Sequence, residues 1–151
     1  MNHEYYIHEA YKEAGKSLKA GGLPIGAVIV HNDEIVARGH NQRIQKGSTI
    51  LHAEMDALEK LGRKTHNYYK ECILYSTLSP CSMCSGAVIL YKIPKVVIGE
   101  NINFKGAEEW MKQQEIELII LQDDACIQLM QSFIESHPQL WNEDIGQPKD
   151  E

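Results

Sequence analysis

The stretch from Cys72 to Gly99, CILYSTLSPCSMCSGAVILYKIPKVVIG, contains a complete strand, helix and strand. The run CILYSTL is rich in residues that favour β-structure, and it stops at Ser79-Pro80, a typical N-cap and first-turn pair for a helix. That helix carries CSMCSGAVILYK and is broken at Pro94, after which KVVIG is a second apolar strand. Alternation of this kind predicts an α/β fold built around a sheet.

The rest of the chain continues the alternation. A first helix is predicted before Gly21-Gly22, where apolar residues recur at three- and four-residue steps. Two short β-type runs joined by His31-Asn32-Asp33 suit a hairpin, and LHAEMDALEKLG is a second amphipathic helix. A short helix around AEEWMKQQ, the strand IELIIL and the helix DDACIQLMQSFIESH follow. We therefore expect a three-layer α/β/α sandwich, with a mixed five-stranded central sheet that has helices on both faces.

Length and composition predict one domain over residues 1–151. The chain is 43% hydrophobic, and its 151 residues match the usual length of a single domain. A net charge of −6 provides no basic surface to hold a nucleic acid. The N-terminus has no apolar run long enough for a signal sequence or a membrane span. A cytoplasmic protein is expected, with its four cysteines reduced and no membrane partner.

Cys81 and Cys84 form the most specific chemical signal in the sequence. Cysteines at positions i and i+3 in the first turn of a helix point to the same side, where the helix dipole favours thiolates. Zinc needs a further nitrogen or sulfur ligand, and His52, at the start of another helix, is the best candidate. Glu54 would then lie beside the metal. His-Ala-Glu followed by Pro-Cys-Ser-Met-Cys matches the signature of zinc deaminases, in which the glutamate moves protons.

Two other readings of the cysteine pair remain open at this point. A thioredoxin-like redox pair would leave the His52-Ala53-Glu54 motif unexplained. A closed structural zinc site would need a fourth ligand, for which the candidates are Cys72, Cys126, His40 and His66. Structural sites usually draw on a second closely spaced ligand pair, which this sequence lacks. The remaining histidines are predicted to be solvated: His3, His8, His31, His66 and His137.

Longer motifs resemble a known family over nearly the whole chain. They are RGHNQRIQKGS, LHAEMDALE, LYSTLSPCSMCSGA, IPKVVIGENINFKG and LWNEDIG. Together they are similar to the fungal-type cytosine deaminases of the cytidine deaminase superfamily. The resemblance implies a homodimer, one zinc ion per subunit, and hydrolysis of free cytosine to uracil and ammonia in pyrimidine salvage. Hydroxide would add to C4 of cytosine while Glu54 shuttles protons, and 5-substituted cytosines are expected as further substrates.

The resemblance also implies roles for the site residues. His52, Cys81 and Cys84 would bind the metal, with Glu54 as the catalytic residue. The residues expected to bind the substrate are Asn41, Ala53 through its N–H, Ser79 through its carbonyl, Phe104, Trp141 and Asp144. The family pattern has glycine where this chain has Ala53, so the extra methyl group bears on substrate preference. Segment 138–151 is expected to form a lid and a tail.

Related deaminases provide the competing predictions. A tRNA adenosine deaminase has a similar zinc signature and length, but it needs a positive surface for its polyanion. A guanine deaminase needs a larger pocket, and its pattern is not recognised around NINFKG. A nucleoside deaminase needs room for ribose, which an aromatic lid would deny. From a different class, a non-catalytic zinc protein or a redox protein would release no ammonia from any base.

Overall fold

The computed structural model describes residues 2–147. Its elements in chain order are α1 (His3–Lys19), β1 (Gly26–His31), β2 (Glu34–His40), α2 (Arg43–Lys46), α3 (Ala53–Leu61), α4 (His66–Lys70), β3 (Cys72–Ser76), α5 (Ser82–Tyr91), β4 (Lys95–Ile98), α6 (Glu108–Gln113), β5 (Glu117–Ile120), α7 (Asp124–Ser136) and α8 (Pro138–Asp144). No helix within residues 2–147 is both long and apolar enough to cross a membrane.

The five strands form one mixed sheet in the order β2-β1-β3-β4-β5. β1 pairs antiparallel with both β2 and β3, whereas β3, β4 and β5 run parallel. Asn32 and Asp33 turn the hairpin with φ of 49° and 63°. Positive φ at both central residues is the mark of a type I′ turn, which matches the twist of paired strands. The predicted hairpin and the predicted mixed sheet are both confirmed.

Alternate residues of the strands point to opposite faces of the sheet, and each face is covered. Val28 and Tyr75 belong to a buried cluster that includes residues of α1. Their neighbours Ala27 and Leu74 belong to a larger cluster with residues of α3, α5, α6 and α7. Helices therefore lie on both faces, and the predicted three-layer α/β/α sandwich is confirmed.

The start of α5 differs from the prediction. Ser79 and Pro80 do not begin the helix, because Cys81 is the N-cap and Ser82 is the first helical residue. The Ser79 hydroxyl does not cap the helix, since its oxygen accepts from the N–H of Gly106 while its proton is donated to Glu108. The prediction of Ser79 as the N-cap was therefore wrong by two residues, although the cysteine pair does open the helix.

The end of the chain contains a helix that the sequence pattern did not indicate. α8 follows α7 directly at Pro138, a residue that is well placed in the first turn of a helix. Trp141 and Asp144 are both buried in it. The tail expected at the end of segment 138–151 lies largely outside the described residues, which end at 147.

Candidate active site

The predicted metal ligands lie at one edge of the sheet because of the strand directions. β2 and β3 both run antiparallel to β1, so their carboxyl ends lie at the same edge. α3 follows β2 and the short helix α2 in the chain, and its N-cap is His52. α5 follows β3, and its N-cap is Cys81. Helix starts at the carboxyl ends of strands are the usual position of an α/β binding site.

His52, Cys81 and Cys84 come together as a metal-binding group, with their ligand atoms all within 4.8 Å of one another. The Nδ1 atom of His52 lies 3.4 Å from Sγ of Cys81 and 3.8 Å from Sγ of Cys84. Tetrahedral zinc, with nitrogen at ~2.0 Å and sulfur at ~2.3 Å, separates a nitrogen and a sulfur ligand by about 3.5 Å. The three side chains therefore have the spacing and the donor types of a zinc site.

The electrostatics of this group also suit a cation. Hydrogen bonds from Cys84 and His52 lower the pKa of the Cys81 thiol to about 4, although burial opposes the shift. Burial lowers the pKa of His52, but the bond to Cys81 and the charge of Asp144 outweigh it and raise that pKa to about 9. Positive charge is thus favoured between the imidazole and the sulfur atoms, where a zinc ion would lie.

The closed structural site receives no support from the described residues. Among residues 2–147, the only group of three or more potential ligands consists of His52, Cys81 and Cys84. The two candidate cysteines are engaged elsewhere: the Cys72 thiol donates to the carbonyl of Tyr68, and Cys126 is buried in the cluster that includes residues of α1. Three protein ligands with a fourth position for water are characteristic of catalytic zinc sites.

Glu54 lies beside the metal-binding group at the second position of α3 and is only 4% exposed. Burial raises the pKa of its carboxyl group to about 7, and the negative charge of Cys81 adds to the shift. A carboxyl group in this condition can both accept and release a proton near neutral pH, as a general acid and base must.

A small cavity opens beside these groups. The residues that line it are Ile25, His52, Glu54, Leu78, Ser79, Cys81, Phe104, Asp144 and Ile145. The ring of Phe104 meets that of Trp141 edge to face, with 5.9 Å between the centroids. Apolar walls with a few converging polar groups are typical of sites for small, flat ligands.

Asp144 is the polar group that α8 brings to the cavity. Its Oδ1 atom accepts a hydrogen bond of 3.0 Å from Nδ2 of Asn41 and lies 3.4 Å from Nε2 of His52. Burial raises the pKa of this carboxyl group, although His52, Asn41 and Arg43 oppose the shift. The guanidinium of Arg43 lies 3.7 Å from Asp144 and 3.3 Å from Glu143, so it joins α2 to α8.

Not every predicted substrate-binding residue lines the cavity. Asn41 is fully buried behind Asp144, and its Oδ1 accepts the backbone N–H of Arg43. Ala53 is also fully buried. Trp141 does not line the cavity itself but contacts Phe104, which does. Each atom of the Asn41 amide group still has capacity for a second hydrogen bond, so the predicted role is compatible with this position.

Several residues of the site gave no signal in the sequence. Ile25, Leu78 and Ile145 line the cavity as apolar residues, and apolar residues of this kind occur throughout the core.

Two histidines predicted to be solvated are partly buried instead. His3 forms a hydrogen bond of 2.7 Å with the hydroxyl of Tyr75, and the ring of His31 is stacked on a tyrosine ring.

The chain is similar in sequence to two kinds of deaminase and in fold to a third. The chain is 51% identical to the cytosine deaminase of Candida albicans over 93% of its own length and 95% of that protein. It is 39% identical to a tRNA-specific adenosine deaminase of Streptococcus pyogenes over 85% of its length and 87% of that protein. A guanine deaminase from Nitrosomonas europaea shares the fold, with a TM-score of 0.71 and 22% identity over 85% of this chain and 82% of that one.

The family assignment rests on a match that contains both zinc motifs in full. Residues 1–100 match the family described as the cytidine and deoxycytidylate deaminase zinc-binding region. This range includes His52, Glu54, Cys81 and Cys84, which the structure brings together at one edge of the sheet. The chain belongs to the cytidine and deoxycytidylate deaminase family of zinc-binding proteins.

Proposed function

We propose that this protein is a zinc-dependent cytosine deaminase that converts free cytosine to uracil and ammonia. The observation that carries the proposal is the group of His52, Cys81 and Cys84 with the buried carboxyl group of Glu54 beside the same small cavity. The 51% identity to a cytosine deaminase over 93% of the chain supports this choice of substrate. 5-Substituted cytosines and a place in pyrimidine salvage belong to the same proposal.

The chemistry divides between the metal and Glu54. His52, Cys81 and Cys84 would hold a zinc ion, which would lower the pKa of a water molecule to ~7 and so provide a nucleophile at neutral pH. Glu54 would accept one proton of this water and donate it to ring N3, and it would then accept the second proton of the same oxygen and donate it to the departing amine. Its pKa of about 7 suits both directions of transfer. Burial keeps bulk water from competing for these protons.

The substrate contacts follow from the groups around the cavity. Asn41 and Asp144 present amide and carboxyl groups to the polar edge of the base, and the Ser79 carbonyl accepts from the 4-amino group. Ala53 is the first residue of α3, where an N–H has no partner within the helix and can donate to a ligand. Phe104 packs on the flat face of the base, with Trp141 behind it.

Segment 138–151 is proposed to act as a lid, of which residues 138–147 are described. α8 covers the cavity with Asp144, and Ile145 lines it directly after the helix. The ion pair between Arg43 and Glu143, at 3.3 Å, connects the helix to the body of the domain. Because the cavity is small and Asp144 and Ile145 form part of its wall, movement of this segment would admit the base and release the product.

A homodimer is proposed from the outer face of α5 and α6. Leu90 is 68% exposed, Tyr91 44% and Trp110 42%, although residues of this size and polarity are usually buried. α5 is apolar nearly all round, so one of its sides lacks a partner within one chain. A second copy of the same helix is an apolar partner of matching character.

The proposed substrate is a free base rather than a nucleic acid, and the proposed location is the cytoplasm. The net charge of −6 is unfavourable for a polyanion. The 39% identity to a tRNA-specific adenosine deaminase makes tRNA the substrate that most needs to be tested against cytosine. The fold shared with a guanine deaminase makes guanine the next.

Ammonia release from cytosine, cytidine, adenine, guanine and tRNA, measured with and without a zinc chelator, tests the proposal. We expect release from cytosine alone, and its loss when the chelator is present. Release from adenosine in tRNA, with none from cytosine, would replace the proposal with its closest rival. Release from cytosine that persists after complete removal of metal would contradict the role of zinc.

A further inference from the structure

Two buried carboxylates behind the cavity have no part in the chemistry described so far. Glu108, at the start of α6, is 1% exposed, and Glu100, just after β4, is fully buried. Neither has a salt-bridge partner within residues 2–147. Burial of a carboxyl group is costly unless hydrogen bonds compensate for the lost water. The hydrogen-bond partners of these two carboxyl groups therefore show which parts of the structure they stabilise.

Glu108 is bonded to Ser79. The Ser79 hydroxyl donates to Oε2 of Glu108 at 2.6 Å, a length typical of a bond from a hydroxyl to a carboxylate. Nδ2 of Asn101 adds two longer contacts of 3.3 Å to the same carboxyl group. The Ser79 oxygen accepts in turn from the N–H of Gly106 at 2.9 Å. Glu108 thereby fixes the side chain of a residue that lines the cavity.

Hydrogen bonds of the flanking peptide groups fix the position of the Ser79–Pro80 peptide bond. The N–H of Ser79 donates to the carbonyl of Glu100 at 3.0 Å, and the Pro80 carbonyl accepts from Ala107 at 3.2 Å. Gly106 passes so close that a Cβ atom there would lie 1.7 Å from the Pro80 oxygen. Because proline has no N–H, the Ser79 carbonyl is the polar group of this peptide that can serve a ligand.

Glu100 forms hydrogen bonds within the loop that connects β4 to α6, which also contains Gly106. Its Oε2 atom accepts from the N–H of Ile102 at 2.8 Å and of Asn103 at 2.9 Å, and its Oε1 atom accepts from the Asn103 side chain at 2.9 Å. Phe104 follows directly in this loop. The Ser79 carbonyl and the Phe104 ring are therefore oriented by one hydrogen-bonded network, which is centred on two buried carboxylates.

We propose that Glu108 is a positioning residue for substrate discrimination. Through the Ser79 hydroxyl it orients the Ser79 carbonyl toward the 4-substituent of the pyrimidine; this inference rests on the proposed function. A carbonyl accepts a hydrogen bond from the 4-amino group of cytosine but opposes the 4-oxo group of uracil, which is also an acceptor. A firmly held carbonyl therefore favours the substrate over the product.

The test compares KM for cytosine with the inhibition constant of uracil in matched variants. Glu108→Met fills similar space with almost no acceptor, whereas Glu108→Gln keeps an acceptor for Ser79. We expect Glu108→Met and Ser79→Ala each to raise KM for cytosine about 3- to 10-fold. The inhibition constant of uracil should change much less. Glu108→Gln should stay close to the wild type, and the double variant should be no worse than either single one.

Glu109→Gln is the control, because Glu109 is the exposed neighbour of Glu108 on the same helix and should leave both constants unchanged. Equal rises in both constants, together with a lower Tm, would show that Glu108 only supports the fold. If Glu108→Met does not fold, Ser79→Ala reports the same discrimination. An active wild type with unchanged discrimination in Ser79→Ala overturns this inference alone, whereas a wild type inactive on cytosine overturns the proposed function and this inference with it.

Discussion

At the scale of single residues, Glu54 is the group on which the proposed chemistry depends most. Its carboxyl group is buried, and burial raises its pKa to about 7. Glu54→Gln fills the same space but cannot shuttle protons, so we expect turnover of cytosine to fall by at least ~10²- to 10⁴-fold. Zinc content and uracil affinity, measured by metal analysis and calorimetry, should remain near the wild-type values. Near-normal turnover would contradict the assignment.

Residue patterns predicted the metal site well because its ligands form short, regular motifs. The spacing of Cys81 and Cys84 and the His-x-Glu motif are visible without a structure. The contact between Asn41 and Asp144 is not, since 103 residues separate them in sequence. Glu108 gave no signal either, because a single acidic residue at a helix start usually faces solvent. Its burial depends on a hydroxyl 29 residues away.

At the scale of elements, α1 is joined to the sheet by a buried carboxylate. Glu9 is 6% exposed and pairs with Lys12 at 2.7 Å and with Arg38 of β2 at 2.9 Å. These bonds, first that of Lys12 and then that of Arg38, lower the pKa of Glu9 below its ordinary value of 4.5. We expect Glu9→Gln to reduce the free energy of unfolding by about 1–3 kcal/mol at neutral pH.

The loss in the free energy of unfolding caused by Glu9→Gln should depend on pH in a defined direction. A carboxyl group whose pKa is lowered by folding stabilises the folded state above its unfolded pKa, and this contribution disappears as pH falls through the folded value. The difference between wild type and Glu9→Gln should therefore be full at pH 7 and shrink below pH 4.5. Urea unfolding across this range measures it, with the exposed Glu4→Gln as control. A difference that is constant with pH would contradict the ion pairs as its cause.

The lid is the element whose removal should separate activity from stability. A chain that ends before Trp141 loses the aromatic contact with Phe104 and the Asp144 carboxyl group. We expect its turnover of cytosine to fall at least tenfold at temperatures where circular dichroism shows that the chain is still folded, because the sheet and its other helices remain, although loss of the buried Trp141 lowers the Tm. A chain that ends at residue 147 is the matched control and should keep full activity. Intact turnover in the shorter chain would argue against the lid.

The elements themselves were predictable to different degrees. All five strands were predicted because each is a short apolar run bounded by turn residues, and α1, α3 and α7 were predicted from their amphipathic spacing. The start of α5 was placed two residues early, since local preference for serine as an N-cap ignores its bond to Glu108. α8 was missed because helix propensity in so short a segment is weak beside the packing of Trp141.

At the scale of the whole molecule, the exposed apolar face of α5 and α6 predicts association. Sedimentation should give twice the 17.1 kDa mass of one chain. Leu90→Asp places a charge on the most exposed large apolar residue of this face and should shift the protein to a monomer. Leu18→Asp, on the exposed side of α1, should leave the dimer intact. A monomeric wild type would exclude the proposed interface.

The overall architecture followed from the order of the elements, because helices that connect parallel strands must cover the faces of the sheet. The sequence pattern does not distinguish the apolar residues that line the cavity from the many others in the core. It also could not show that the end of α8 packs against the cavity. Those features arise from packing between segments that are distant in the chain, as Ile25 and Ile145 illustrate.

The rate of uracil formation from cytosine as a function of zinc bound per chain tests the central claim most directly. Protein stripped by a chelator is reconstituted with increasing zinc, and metal content and rate are measured on the same samples. We expect the rate to rise in proportion to bound zinc and to level off at about one ion per chain, as a single site with three protein ligands requires. A rate independent of zinc content, or no uracil from fully loaded protein, would contradict the account.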